Sequence, residues 1–263
     1  LTKPMATDYK GLAKQARIKV LEMIHRGGTS HIASNYSVID IATVLYENLK
    51  EEDCVVWSKG WAAATIYYFL AKQGKIPKED LDKFPNPPYL GLAETSVNGN
   101  WVSGGSMGHG LPIAVGMAYA KKLSGEKGTI YCIMSDGEMN EGTTWESAIL
   151  AAHHKLDNLV VLVDKNGWQA MGKTEEVLDV EPICYKWRYF GWDDYGLDGH
   201  DYECLEYRLF GDGVGFRKKD VPVVVLATTI KGKGVSFFED HLLYHYKHVD
   251  DEEYKKALTE LNA

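Results

Sequence analysis

Two short apolar runs, Ile130-Tyr131-Cys132-Ile133-Met134 and Leu159-Val160-Val161-Leu162-Val163, constrain this chain more than anything else in it. Each has the length and composition of a strand buried on both faces, the pattern of a parallel sheet. Each leads directly into polar residues. Ser135-Asp136-Gly137-Glu138-Met139-Asn140-Glu141-Gly142 follows the first, and Asp164-Lys165-Asn166-Gly167-Trp168 follows the second. Asn166 stands thirty positions after Asp136, which fits one strand–helix–strand unit. Two such strands lying side by side bring Asp136 and Asn166 to the same sheet edge. A carboxylate and an amide oxygen are hard ligands, suited to a Mg²⁺ ion that keeps its other positions for phosphate and water. The carboxyl end of a parallel sheet is also where open α/β folds bind ligands. The pair reads as a metal-bridged diphosphate site.

The rest of the chain alternates apolar runs with helical patterns, the signature of successive strand–helix–strand units. Helices are expected over residues 8–25, stopped by Gly27-Gly28, and over 37–49, capped by Asn35 or Ser37. Further helices are expected over 62–73, 112–123, 141–154 and 201–210, and strands over 55–57 and 223–227. Residues 75–102, with Pro77, Pro85, Pro87 and Pro88, read as a long irregular excursion. The charged tail, 241–263, reads as partly helical. The expected fold is α/β, a parallel sheet flanked by helices on both faces, in one domain spanning residues 1–263.

A net charge of −8 argues against a nucleic-acid surface, which needs a basic stripe. No apolar run approaches the ~20 residues of a membrane helix, and Leu1-Thr2-Lys3-Pro4 has no signal-peptide core. Cys54, Cys132, Cys184 and Cys204 are far apart, and Cys132 falls inside a strand as a core residue. A reducing, cytoplasmic setting is expected. Gly104-Gly105-Ser106-Met107-Gly108-His109-Gly110 opens the helix at Pro112; it suits close backbone approach to a ligand, but by itself is equally a tight turn. It lacks the GxGxxG spacing after a strand that a nicotinamide-binding Rossmann site needs. No HxxxH or CxxC spacing points to zinc and no GxSxG to a serine hydrolase. Glu141 and Glu146 near a helix start are compatible with simple dipole favouring, and His31 and His245 are isolated in sequence.

Taken together the motifs resemble the N-terminal, diphosphate-binding domain of the transketolase family, from about Ala13 to Lys247. They are Ser30-His31-Ile32, Ser58-Lys59-Gly60, Gly105 to Gly110, Asp136 to Gly142, Asp164 to Gly167, Asp198-Gly199-His200-Asp201, and Lys231-Gly232-Lys233-Gly234-Val235-Ser236-Phe237. The resemblance implies thiamine diphosphate and Mg²⁺ as cofactors. It implies that Asp136, Asn166 and the Trp168 carbonyl hold the ion and that the Gly137 amide meets the diphosphate. Ser106, Met107 and Gly108 would meet the cofactor rings, with Glu138 and Trp61 also on the cofactor side. It assigns Glu141 to a carboxylate network between cofactor sites, joined by Glu146. His245 would lie near the diphosphate and reaction centre, and His31 would face substrate. The implied activity is transfer of a two-carbon ketol unit from a ketose to an aldehyde. The chain ends where the family's second domain begins, so the pyrimidine-binding and C-terminal domains are expected on a separate partner chain, in an α₂β₂ assembly like that of split transketolases.

Two departures from the family pattern bear on substrate. Trp61 stands where the family has histidine after Ser-Lys-Gly, and no histidine occurs between His31 and His109, where the family carries Gly-His-Pro. An indole N–H donates but cannot accept a proton. A site that loses a polar partner for a substrate hydroxyl stops rejecting analogues that lack it. An altered donor is one expectation, either one delivering an acetyl-type unit, such as pyruvate, another 2-oxo acid or a 1-deoxyketose, or an unusual sugar of specialised metabolism; Asn98-Gly99-Asn100 taking over the missing contact is the alternative. A non-catalytic partner chain is a reading of another class, opposed by the intact Asp136, Asn166 and Glu141.

Overall fold

Residues 7–211 and 218–263 are described by the computed structural model. Among them five parallel strands form one sheet in the order β1-β2-β3-β5-β4. These are β1 (Cys54–Trp57), β2 (Ile130–Ser135), β3 (Leu159–Lys165), β4 (Asp193–Asp198) and β5 (Val223–Thr228). The helices are α1 (Tyr9–Gly27), α2 (Ile32–Tyr36), α3 (Ile39–Asn48), α4 (Ala63–Lys72), α5 (Gly110–Ser124), α6 (Gly142–His153), α7 (Thr174–Leu178), α8 (Ile183–Tyr189), α9 (Tyr202–Phe210), α10 (Leu243–Tyr246) and α11 (Asp251–Asn262).

Alternate residues along each strand enter opposite cores, as the two-residue period of a strand requires. Tyr131, Ile133, Val160 and Leu162 join α1, α3, α4, α9 and α11 on one face. Cys132, Met134, Val161 and Val163 join α5, α6 and α8 on the other. The sheet is thus covered on both sides, which is why the central strands read as unbroken apolar runs. No described helix is long and apolar enough to cross a membrane, and the four cysteines are free.

Three local expectations are corrected. The helix expected over 37–49 is α3, Ile39–Asn48, preceded by a separate short helix, α2, that was not expected, and neither Asn35 nor Ser37 caps α3, whose N-cap Val38 makes no side-chain bond. The Asn35 side chain instead accepts from the Thr65 amide at 3.0 Å, and Ser37 donates to Asp164 at 2.6 Å. Long-range partners outcompete a local cap for both. Residues 75–102 contain a 3₁₀ turn, Lys78–Lys83. Finally, β4, α7 and α8 have no counterpart in the apolar pattern. Asp-Asp-Tyr-Gly-Leu-Asp shows no apolar run because β4 is an edge strand; its ladder with β5, from Asp193↔Val223 to Asp198↔Thr228, supplies the backbone pairing that defines it.

Candidate functional site

Strands β2 and β3 pair with Ser135 opposite Asp164, so the residues that follow them emerge together at the carboxyl edge. Asp136 starts a 3₁₀ turn, Asp136–Asn140, and is almost wholly buried. Among the described residues its two oxygens accept from uncharged groups: Gly137 N–H at 2.9 Å and Gly167 N–H at 2.7 Å, with Thr174 Oγ1 at 3.5 Å. Burial, aided by the neighbouring Asp164 charge, pushes its carboxyl up to about 6. Asn166 is buried beside it, with its Oδ1 accepting from Trp168 N–H at 3.1 Å. A buried carboxylate without an ion-pair partner, flanked by an amide oxygen, fits a hard divalent cation. Among the described residues no three His, Cys, Asp or Glu side chains gather as a metal cluster.

The glycine turn faces these strand ends across a cavity of about 190 Å³. Glu138, fully buried, ties the two sides together. It accepts from the Gly108 amide at 2.9 Å, from the Ser135 amide at 3.4 Å and, over a short contact, from the Ser58 hydroxyl. Ser58 Oγ in turn accepts from Gly110 N–H at 2.9 Å. Glycine is required at Gly108, where φ is +82° and a Cβ would strike Thr143 and Glu141. Gly110 needs the same smallness, because a Cβ there would overlap the Ser58 backbone. Ser106 and Met107 are left exposed at the cavity mouth.

The floor is cationic. Lys59, buried, donates to Asp164 and, at 3.1 Å, to Ser37 Oγ. Asp164 also accepts from the Ser37 and Thr229 hydroxyls. Burial opposes its ionisation, but Lys59 and these donors bring its pKa below the usual carboxylate value. Lys231 is nearly inaccessible, and its described side-chain bond is donated to His245 Nδ1 at 3.0 Å. Burial and then Lys59 lower its ammonium to about 8. An ammonium can only donate, so His245 carries its proton on Nε2. His245 meets His31 with ring centroids 4.6 Å apart, and His31 stacks on Trp61 at 4.4 Å with 10° between planes. Burial and the lysine charges lower His31 to about 4 and His245 to about 3, so both are neutral at pH 7. Trp61 is 41% exposed and donates its N–H to the Gly105 carbonyl at 3.1 Å.

The cavity thus gathers Trp61, Ser106, Met107, Gly137, Glu138, Asn166, Trp168 and His245, with His31 behind Trp61 and Asp136 at the adjoining edge. Glu141 lies outside it, half-buried at the N-cap of α6 behind Gly108, and Glu146 is exposed further along the same helix. Asn98-Gly99-Asn100 lies away from it, against Leu70 and Lys75, in a separate groove that Cys54 and Trp101 also line. Sequence reasoning alone gives no role to Lys59, Lys231 or Ser34, all of which line the cavity. The available signal is a lysine beside glycine within a motif, Ser58-Lys59-Gly60 and Lys231-Gly232, because lysine is rarely buried without a task.

A family model described as "Transketolase, thiamine diphosphate binding domain" matches residues 9–262. The chain belongs to the transketolase family. It is 35% identical to an apulose-4-phosphate transketolase subunit of Actinobacillus succinogenes, covering 98% of each chain. It is 34% identical to the 6-deoxy-6-sulfo-D-fructose transketolase subunit SqwG of Clostridium sp. strain MSTE9, covering 97% of this chain and 96% of that one. The transketolase of Campylobacter jejuni superposes with a TM-score of 0.89 at 28% identity, over 97% of this chain and 42% of that chain. The chain therefore spans about two-fifths of that solved transketolase and nearly the full length of the subunit relatives.

Proposed function

We propose that this chain is the thiamine-diphosphate- and Mg²⁺-binding subunit of a two-subunit transketolase that moves a two-carbon ketol unit from a ketose to an aldehyde. The observation that carries it is the convergence of Asp136 and Asn166, from adjacent strand ends, with a glycine turn and two buried lysines around one cavity. Asp136, Asn166 and the Trp168 carbonyl would hold the ion. Gly137 N–H, Lys59 and Lys231 would hold the diphosphate, and the turn at Ser106, Met107 and Gly108 would meet the rings. When bound, the cofactor supplies the nucleophile and electron sink. The chain's own contribution is to bind, orient and exclude water, and to present two uncharged imidazoles. His245 presents an N–H at Nε2 for a developing oxyanion, and His31 exchanges protons on the substrate side. Glu141, joined by Glu146, would reach a second cofactor site across the subunit interface.

The pyrimidine-binding and C-terminal domains belong, in this reading, to a separate partner in an α₂β₂ assembly. Its support is that both subunit relatives match this chain over nearly their whole length. Titration of thiamine diphosphate with Mg²⁺, into the chain alone and then into the chain with a candidate partner, tests it. Binding that tightens with the partner and yields ketol transfer sustains the reading. No binding in either case defeats it, and full turnover by this polypeptide alone defeats the split.

A second reading concerns the donor. The Trp61 N–H is already engaged by Gly105, and its ring covers one face of His31. That wall offers a substrate hydroxyl less than a free imidazole would, which favours a donor of the acetyl type. Steady-state rates with hydroxypyruvate and with pyruvate decide; a strong preference for hydroxypyruvate removes this reading.

A further inference from the structure

Beside backbone bonds from Gly232 to Ala33 and from Asp240 to Lys231, the turn that carries Lys231 into the cavity is held by side chains that never reach the cavity. On one flank, Ile230 N–H donates to His200 Nε2 at 2.9 Å. On the other, Arg17 Nε donates to the Lys233 carbonyl at 2.8 Å. Those two side chains meet on one buried carboxylate, Asp40. Arg17 engages both its oxygens, at 2.9 and 2.7 Å, and His200 Nδ1 lies 2.7 Å from Oδ2. Tyr202 donates its hydroxyl to Oδ1 at 2.7 Å.

The tautomer of His200 follows from its partners. A backbone amide can only donate, so Nε2 is unprotonated and Nδ1–H donates to Asp40. The ring is a neutral relay between a buried carboxylate and one peptide bond. Arg17 comes from α1, Asp40 from α3, His200 from the loop after β4. Their network is therefore anchored on the helical layer, while Lys231 projects toward the carboxyl edge of the sheet. Lysine has a long, flexible stem with many accessible rotamers. Fixing the backbone on both sides of it restricts where its ammonium can go.

We propose that His200, with Asp40 and Arg17, is a positioning device for Lys231, setting the register of the 230–233 turn so that Lys231 Nζ meets His245 and the bound anion. This rests on the reading of the cavity as a diphosphate site.

Magnesium pyrophosphate is the probe, because that half of the site lies on this chain; its dissociation constant is read by isothermal titration alongside the melting temperature. His200→Asn keeps a donor near Asp40 but is too short to accept from Ile230. His200→Gln puts its amide oxygen where Nε2 stands, so it keeps the bond from Ile230 and gives up the one to Asp40. The expected result is about tenfold weaker binding for H200N with near-native affinity for H200Q. In a Lys231→Met background, H200N should add less than about twofold, because the two residues act through one contact. Should H200N melt early, Tyr202→Phe, which removes one donor from Asp40 and leaves Ile230 paired, supplies a milder cut with the same expected non-additivity. Effects of His200 and Lys231 that simply add, or an H200N variant that binds like the unaltered chain, would overturn the proposal. An unaltered chain that binds no magnesium pyrophosphate would overturn the diphosphate reading and this inference with it.

Discussion

Asp136 and Asp164 stand at the ends of neighbouring strands, both buried, and their surroundings treat them oppositely. Asp164 has Lys59 and two hydroxyls, which bring its pKa below the usual carboxylate value despite burial. Asp136 has backbone amides and, among the described residues, no ion-pair partner, and burial drives it up to about 6. One carboxylate closes an internal ion pair that welds β3, the Lys59 segment and the Thr229 segment together. The other has no described ion pair, only backbone amides and the more distant Lys59 charge, to offset it. A buried charge is tolerated where something pairs with it, so the unbalanced member is where an external cation fits.

Removing the balanced member should cost most. Asp164→Asn leaves the Lys59 ammonium buried without its partner, and denaturant unfolding should show a loss of about 3–5 kcal/mol. A loss under about 1 kcal/mol would mean that the two aspartates are not so different after all. Asp136→Asn should do the reverse: stability without metal is held or slightly raised. The thermal shift given by Mg²⁺ with thiamine diphosphate, about 3 kcal/mol at a hundredfold excess over Kd, should vanish. A variant that melts early but keeps that shift would invert the assignment.

Acid sharpens the comparison further along the cavity. His31 and His245 have folded values of about 4 and about 3, below the ordinary histidine value of 6.5. A depressed folded value means the unfolded chain binds protons first. Their contribution to stability is therefore complete above pH 6.5 and is lost as pH falls through that window toward 4 and then 3. Urea midpoints of the unaltered chain and of His245→Asn between pH 7 and 4 should converge as pH falls; parallel curves would show that His245 is not held neutral. The smallest effect belongs to Trp61→Phe. It keeps a ring against His31 and loses the N–H bond to Gly105, worth about 0.5–1 kcal/mol at so exposed a site. A larger loss would place Trp61 among the structural supports rather than at the substrate wall.

Much of the fold was legible because burial on both faces leaves a plain mark. The runs 130–134 and 159–163 could only be central strands, and their polar successors had to surface at one edge. Strand β4 was not legible, since an edge strand paired on one side needs no apolar run. The caps expected at Asn35 and Ser37 fail for a related reason. A local preference is weak, and partners distant in sequence, Thr65 for Asn35 and Asp164 for Ser37, outweigh it.

What the amino-acid sequence determined by itself was the parallel sheet and the placing of Asp136 and Asn166 side by side, because a two-residue strand period and one crossover leave little freedom. Which charges are balanced was decided only in three dimensions. Lys59 meets Asp164 across 105 residues, and the turn that carries Lys231 is bonded by Arg17 and His200, which meet on Asp40, all three from other elements. Pairing of buried charges depends on separations of a few ångströms between distant segments, and those distances exist only once the layers have packed.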